Sequence, residues 1–405
     1  MTKHVVVAGG GHAAGQLAQS LRMDGFEGAI TIIGDEPYAP YQRPPLSKGL
    51  ISGAETLDDL YLRAPDGYPE INVELLTGVA VTAIDRAGKA VTLSDGDTIS
   101  YSKLVLATGA RVRELPVPGA DLSGVHYLRT LDDSLAVQEE FKNHKSLAVI
   151  GGGFIGLEIA ASAAKLGLQV TVLEAANRLM GRAVSPEISQ FYKDQHERHG
   201  VTVKTGVGIT ALKGNDRVDA VELADGSEIP SNIVIIGIGV LPNAEIADEA
   251  GLETGNGIVV DEFCRTSDEH ILAIGDCTNH PNQFAGTNIR LESVQNAVDQ
   301  ARTTSKVICG KEEPYSALPW FWSDQFDLRL QIAGLIIGSQ KAVTRAYGDD
   351  SIAVYHYGAK GIIACEAVNA PKDFMAAKMM IAKKVNPDPG KLADTGIEIR
   401  DLMRG

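Results

Sequence analysis

The sequence predicts an α/β protein in which one β-turn-α-β unit occurs twice and an α+β domain follows. Three observations carry that prediction. A short β-branched apolar run, His4–Ala8, enters a glycine turn and a helical pattern through Leu21, with a second strand at Ala29–Ile33. The same order returns at Ser146–Ile150, with glycines from Gly151, a small-residue helix to Leu166 and a strand at Gln169–Leu173. From Pro319 the composition shifts to tryptophan, tyrosine and alternating segments, closed by a helix near Pro371–Lys384.

The separation of the two copies is too long for a solenoid repeat and suits two domains of common ancestry. Each copy continues with a hairpin: Lys89–Leu93 before Ser94-Asp95-Gly96, and Arg217–Leu223 before Asp225-Gly226. The first of these reads as a β-meander packed on the first sheet. Each copy then ends in an apolar strand running into glycine, Leu104–Ala107 before Thr108-Gly109 and Ile233–Ile236 before Gly237-Ile238-Gly239. A further strand is predicted at Ile271–Ile274 before Gly275-Asp276, and a long helix over Ser293–Ile308. The expected domains are residues 1–112 with 244–318, residues 113–243, and residues 319–405.

Composition bounds the function. A chain of 405 residues exceeds one ordinary core, and 44% hydrophobic with 22% charged residues is globular composition. A net charge of −15 argues against nucleic acid, which demands a basic surface. No run approaches the ~18 apolar residues of a membrane span. The cysteines, Cys264, Cys277, Cys309 and Cys365, form no CxxC or metal spacing. With no signal peptide, the expectation is a cytoplasmic protein without a metal site.

The glycine turns carry the chemistry. In Gly9-x-Gly11-x-x-Ala14, the first glycine permits a tight turn, the second lets backbone approach a pyrophosphate, and the small third residue packs helix on strand. Helix N-terminal amides then face the phosphates. Asp35, at the end of the second strand, is placed to accept ribose hydroxyls, and His12 is expected to face solvent. A glycine turn of an unrelated α/β fold gives the same local pattern. The second copy is fuller: Gly151-x-Gly153-x-x-Gly156, with Glu174 ending the next strand. Together they predict two Rossmann-like dinucleotide-binding domains. Glu174 would bond a free 2′-hydroxyl and repel a 2′-phosphate, favouring NADH over NADPH, while Arg178 and Arg182 work against that preference. Ala107-Thr108-Gly109 and Gly275-Asp276 close two further strands, where Asp276 is placed to reach hydroxyls of an extended cofactor; a capped αβ turn is the alternative.

The order GGGHAAG, YQRPPLSK, LVLATGA, GGGFIGLE, GIGVLPN, AIGDC and PWFWSDQ resembles the pyridine nucleotide–disulfide reductase superfamily. Within it, the resemblance is to the ferredoxin reductase branch, that of putidaredoxin reductase and its bacterial relatives. The likeness runs from the first residues to beyond Trp322 and thins after about Gly338. It implies FAD held without a covalent link and NADH as electron donor. By the family pattern FAD would meet Ala13, Asp35, Arg43, Lys48, Val81, Thr108, Arg129, Asp276 and Val294. NADH would meet Gly153, Ile155, Glu174 and Gly239. The resemblance also pairs Lys48 with Glu158 beside the flavin's reactive nitrogen, where a fixed cation would stabilise charge on reduced flavin. Phe154 would cover the flavin or yield to nicotinamide, with a core aromatic as the alternative.

The informative absence is sulfur. Disulfide reductases of the superfamily carry a CxxxxC pair where this chain has Arg43-Pro44-Pro45-Leu46-Ser47-Lys48, and no cysteine precedes Cys264. Electrons would therefore leave flavin directly, one at a time, to an iron–sulfur carrier. Cys277 reads as a buried small side chain. Trp320 and Trp322 would share one face, and the resemblance places Trp322 near the flavin and the docking surface; two core tryptophans are the plain alternative. The expected partner is an acidic 2Fe–2S ferredoxin, docking near a local basic patch drawn from Arg302, Lys306, Arg329, Lys378 and Lys383. The resulting expectation is an NADH-dependent ferredoxin reductase serving a haem-thiolate monooxygenase or a ring-hydroxylating dioxygenase. The alternatives are a rubredoxin reductase or NADH oxidase, or a redox-sensing interaction protein like apoptosis-inducing factor.

Overall fold

The computed structural model describes residues 3–403, which divide into two compact units. Of the described residues, the first comprises 3–43, 57–111 and 241–319, and the second 44–56, 112–240 and 320–403. The contact pattern thus groups the C-terminal sheet with the second glycine unit, and places Pro44–Thr56 there as well.

The first unit is built on a five-stranded parallel sheet. Its order is Ile271–Ala273, Lys103–Leu106, His4–Ala8, Ala29–Gly34, Val73–Thr77. Val5, Val7, Ile30, Ile32, Val105 and Leu272 point to one face and pack on the helices His12–Met23 and Val294–Ile308. Val6, Ile33, Leu104 and Leu106 point to the other, against Val91, Leu93 and Ile258. A strand buried on both faces needs a continuous apolar run rather than an alternation, and that is what these strands contain. The expected meander is present as the antiparallel strands Val81–Asp85, Ala90–Leu93 and Thr98–Ser100. Thr108 and Asn243 exchange two hydrogen bonds: Thr108 Oγ1 donates to the Asn243 carbonyl at 2.5 Å, and Asn243 Nδ2 to the Thr108 carbonyl at 2.9 Å.

The second unit repeats the plan. Its parallel sheet runs Thr202–Thr205, Gln169–Glu174, Ser146–Ile150, Ile233–Ile236, Val125–Tyr127. The helix Leu131–Asn143 starts at a capping box, with Thr130 and Asp133 reciprocally bonded, and Phe154–Lys165 starts at Gly153. A five-stranded antiparallel sheet follows, in the order Trp320–Gln325, Leu328–Gly334, Gly361–Val368, Ser351–Gly358, Lys341–Gly348. The helix Pro371–Lys383 covers it through Phe374, Ala377 and Met380.

Arg345 is buried in this sheet and ties down the chain's last turns. It pairs with Asp373 at 3.4 Å and donates to the carbonyls of Leu392, Asp394 and Ile397. Among the described residues no helix is long and apolar enough to cross a membrane.

Candidate functional site

Both glycine turns sit where a parallel sheet opens a crevice, at the carboxyl ends of its strands. In the first unit, Gly9 leaves its strand at φ +119°. A Cβ there would lie 2.2 Å from the Ala107 carbonyl oxygen, so only glycine lets the two strand ends meet. Gly11 caps the helix His12–Met23 with extended backbone, and a Cβ there would meet nothing within 4 Å. That is open space facing helix amides, the setting a pyrophosphate requires. Ala13 and Ala14 are buried on the first turn of the helix, and Gly275 approaches Ala13 from the Ile271–Ala273 strand end.

The remaining candidates of this unit gather on the same edge. Asp35 is exposed directly after Ala29–Gly34, its Oδ1 accepting from the neighbouring Glu36 amide at 3.1 Å. Ala107, Thr108 and Gly109 follow Lys103–Leu106, with Gly109 at φ +65°. Gly275 and Asp276 form a 3-10 turn, and the Gly275 amide donates to Gln300 Oε1 at 2.7 Å. Val294 opens the helix that packs beside this turn, and Val81 begins the meander. Arg43 donates to Glu36 at 2.6 Å and lies over the Tyr41 ring at 5.2 Å. Burial works against its charge, but Tyr41, Glu36 and Asp276 outweigh that and raise its pKa. His12 is not the solvent-facing residue expected from its turn. It is half-buried, its Nδ1 has no partner among the described residues, and burial lowers its pKa against the opposing pull of Asp276.

The second unit fits a dinucleotide on the same grounds. Gly151, at φ +108°, would place a Cβ 2.3 Å from the Gly237 carbonyl oxygen, and Gly156 one at 2.2 Å from that of Gly151. Gly153 caps its helix beside open space, as Gly11 does. Ile155 stands 46% exposed on the first turn, unusual for isoleucine and in keeping with a ligand-facing place. Glu174 closes its strand with Oε2 accepting from the Gly152 amide at 2.6 Å and Oε1 from Ala176 at 2.7 Å. Each oxygen keeps a lone pair for a further donor. Of the two cations expected near it, Arg178 is committed, donating to the carbonyls of Gly181 and Val184, whereas Arg182 is exposed and reaches Gly239, which stands at φ +109°. Arg129 directly precedes the capping box of Leu131–Asn143.

Lys48 and Glu158 meet within this unit. Lys48 Nζ donates to Glu158 Oε2 at 2.7 Å and to the Pro44 carbonyl at 3.0 Å. Glu158 is 3% exposed and Lys48 23%. A buried carboxylate needs a donor for each lone pair it keeps from water. The serines that supply them, Ser47 at 2.5 Å and Ser323 at 2.7 Å, were missed in the sequence, although both lie inside quoted motifs. Phe154 packs on Phe321, ring centroids 4.5 Å apart. Trp320 and Trp322 share one face of their strand, 5.5 Å between centroids.

Several of the proposed docking cations are engaged by neighbours within their own unit. Arg302 pairs with Asp299 at 3.3 Å and Lys306 with Glu313, both in the first unit. In the second, Arg329 lies 3.9 Å from Asp324, Lys378 sits 5.2 Å over the Trp320 ring, and Lys383 is exposed at the end of its helix. All four cysteines are unpaired thiols; Cys264, Cys277 and Cys365 are buried, and burial raises the pKa of each.

Comparisons with known proteins identify the family. The pyridine nucleotide-disulphide oxidoreductase family matches residues 3–301, and the reductase C-terminal family residues 320–403. Rhodocoxin reductase of Rhodococcus erythropolis is 43% identical over 398 residues, covering 98% of this chain and 93% of the relative. The crystal structure of the ferredoxin reductase for the CYP199A2 system of Rhodopseudomonas palustris superposes with a TM-score of 0.96 at 42% identity, over 99% of this chain and 100% of that one. The covalent putidaredoxin reductase–putidaredoxin complex gives 0.96 at 38% identity, over 99% and 98%. With a family match over residues 3–301 and relatives about 40% identical along nearly the whole chain, the assignment follows: the chain belongs to the pyridine nucleotide-disulphide oxidoreductase family.

Proposed function

We propose that this protein is an NADH-dependent ferredoxin reductase serving an oxygenase system. The observation that carries the reading is the conjunction of two dinucleotide cradles with a lysine–carboxylate pair in a segment that contains no cysteine. FAD and NAD(H) supply the chemistry, since a hydride brings two electrons and a flavin releases them one at a time.

The protein's own residues bind, orient and charge the site. Gly9, Gly11, Ala13 and Ala14 would offer the first unit's amides to the FAD pyrophosphate, with Asp35 on the ribose. Arg43, Val81, Ala107, Thr108, Gly109, Gly275, Asp276 and Val294 would line the rest of its path, together with Lys48 and Arg129. Gly151, Gly153, Ile155, Gly156 and Gly239 would cradle NADH, with Glu174 selecting the free 2′-hydroxyl and Arg182 near the phosphates. Lys48, oriented by Glu158, would supply fixed positive charge where reduction creates negative charge. Phe154 and Trp322 would border the reacting rings.

For the acceptor, we infer an acidic 2Fe–2S ferredoxin. The covalent putidaredoxin reductase–putidaredoxin complex supports a ferredoxin partner. Lys378 lies on the helix whose Phe374 touches Trp320 and sits over the Trp320 ring, so it supplies positive charge beside the tryptophan pair, with Lys383 at the end of the same helix. We read the protein as cytoplasmic from its unpaired cysteines. The decisive experiment is steady-state reduction of a panel of ferredoxins and rubredoxins under NADH and NADPH. Ferredoxin-dependent turnover with NADH, falling as ionic strength rises, is the expected outcome. Transfer only to rubredoxin, or flavin bleaching with no transfer to any iron–sulfur protein, overturns the reading.

A further inference from the structure

The Glu158 carboxylate is the end of a longer buried chain. Ser323 Oγ donates to Oε1 at 2.7 Å, Gln325 Nε2 lies 3.2 Å from Ser323 Oγ, and Gln325 Oε1 lies 2.9 Å from His196 Nε2. Ser323 and His196 are fully buried and Gln325 is 1% exposed. All belong to the second unit, as do Lys48 and Ser47.

The proton positions in this chain follow from the number of donors each group has. Glu158, ion-paired to Lys48, only accepts. Ser323 has one hydroxyl proton and gives it to Glu158, so its oxygen must receive from its other neighbour. Gln325 therefore turns its NH₂ to Ser323 and its carbonyl oxygen to His196. His196 must then carry its proton on Nε2, which leaves Nδ1 bare. Nδ1 is indeed buried without a partner among the described residues, as a neutral imidazole in apolar surroundings permits. Burial lowers the His196 pKa to about 4, opposing the Gln325 hydrogen bond, so the ring stays neutral at working pH.

We propose that Ser323 is a positioning residue for Lys48, holding Glu158 through a one-way donor chain that begins at His196. The proposal deepens, and rests on, the reading of Lys48 as the cation that stabilises reduced flavin. Strand alternation puts Ser323 and Gln325 on the face opposite Trp322. The segment that displays the tryptophan thereby also fixes the carboxylate, so a shift of that strand is felt at the lysine. The charged and titratable groups around Glu158 are few. Lys48 bonds it directly, His196 reaches it through the chain, and Asp324 follows on the same strand. The Tyr192 phenol, on the helix that carries His196, is kept neutral by burial and by the charges of Asp324 and Glu158.

The test uses the flavin-loaded enzyme. Losing one hydrogen bond to a charged carboxylate should slow reduction of the flavin by NADH roughly tenfold in Ser323→Ala. The flavin midpoint potential should fall, with the NADH KM unchanged. Ser323→Thr, which keeps the hydroxyl, should restore both. Gln325→Met should move both in the same direction to a smaller extent, and serves in place of Ser323→Ala should that variant not fold. Nitrogen-15 NMR of labelled histidine should show His196 protonated on Nε2. An unchanged rate and potential in Ser323→Ala, equal losses in Ala and Thr, or a proton on Nδ1 would each overturn the proposal. If ferredoxin is never reduced while these shifts occur, the functional reading loses its acceptor and the positioning role stands.

Discussion

Glu174 holds the Gly152 amide at 2.6 Å, so the residue that ends one strand also braces the glycine loop of its neighbour. Replacing it by alanine removes both the brace and the proposed ribose acceptor. Hydrogen bonds to a charged group contribute about 1.5–3 kcal/mol. We expect kcat/KM for NADH to fall roughly ten- to hundredfold, while NADPH loses less. Steady-state kinetics with both dinucleotides measures the ratio; equal losses would remove Glu174 from the selection.

Glycine substitutions should separate the two cradles. At Gly9 a Cβ meets the Ala107 carbonyl at 2.2 Å and the backbone is at φ +119°, so Gly9→Ala should purify without flavin colour. Gly156→Ala meets the Gly151 carbonyl at the same distance and should stay yellow yet fail to be bleached by NADH. Flavin content and anaerobic NADH titration read the two outcomes.

The Lys48–Glu158 pair is asymmetric, and its variants should be too. Lys48→Met leaves a carboxylate that is 3% exposed without its cation, a loss of about 3–5 kcal/mol. Glu158→Gln leaves a lysine that still reaches water and should cost less. Both should slow flavin reduction, on the order of 10²-fold for Lys48→Met. Chemical denaturation and stopped-flow absorbance give the two orders; a less stable Glu158→Gln would contradict the burial argument.

Acid should destabilise the protein through its buried histidines. Burial lowers the pKa of His196 and of His280 to about 4 from an ordinary 6.5. Between those values the unfolded chain binds protons that the folded one refuses, so stability rises with pH there and falls as pH drops from 6.5 towards 4. The His196→Gln variant should show a shallower loss of Tm over that window.

Arg345→Ala should loosen the C-terminal segment. It frees the carbonyls of Leu392, Asp394 and Ile397 and leaves Asp373 buried without its guanidinium. A loss of about 3–5 kcal/mol, with faster amide exchange over residues 392–397, is the expected result.

The parallel sheets were legible because their strands are continuous apolar runs joined to glycine turns, a pattern local in sequence. Val73–Thr77 escaped notice, since its mixture of Glu and Leu has no such signature. Helix ends differ little from expectation, His12–Met23 running two residues past the predicted Leu21. The site was legible where backbone geometry forces a residue type, as at Gly9 and Gly151. It was not where the constraint is a partner far along the chain. Ser47, Ser323 and Gln325 look like ordinary polar residues until Glu158 is folded between them, 111 positions from the first and 165 from the second. Among the expected docking cations the constraint is local instead: Arg302 and Lys306 pair with Asp299 and Glu313, three and seven positions away.

The mutual clasp of Thr108 and Asn243 has an architectural corollary. The polypeptide leaves the first unit just after one of these residues and re-enters just before the other, so the 135-position excursion begins and ends at adjacent points. Joining such ends costs the host little more than closing a short loop, because that entropy grows only slowly with the length of the detour. The first unit's sheet therefore bears little entropic cost for a segment spliced in at that doorway, whereas the C-terminal sheet, which shares one compact unit and one core with the spliced residues, would have to be exchanged along with them.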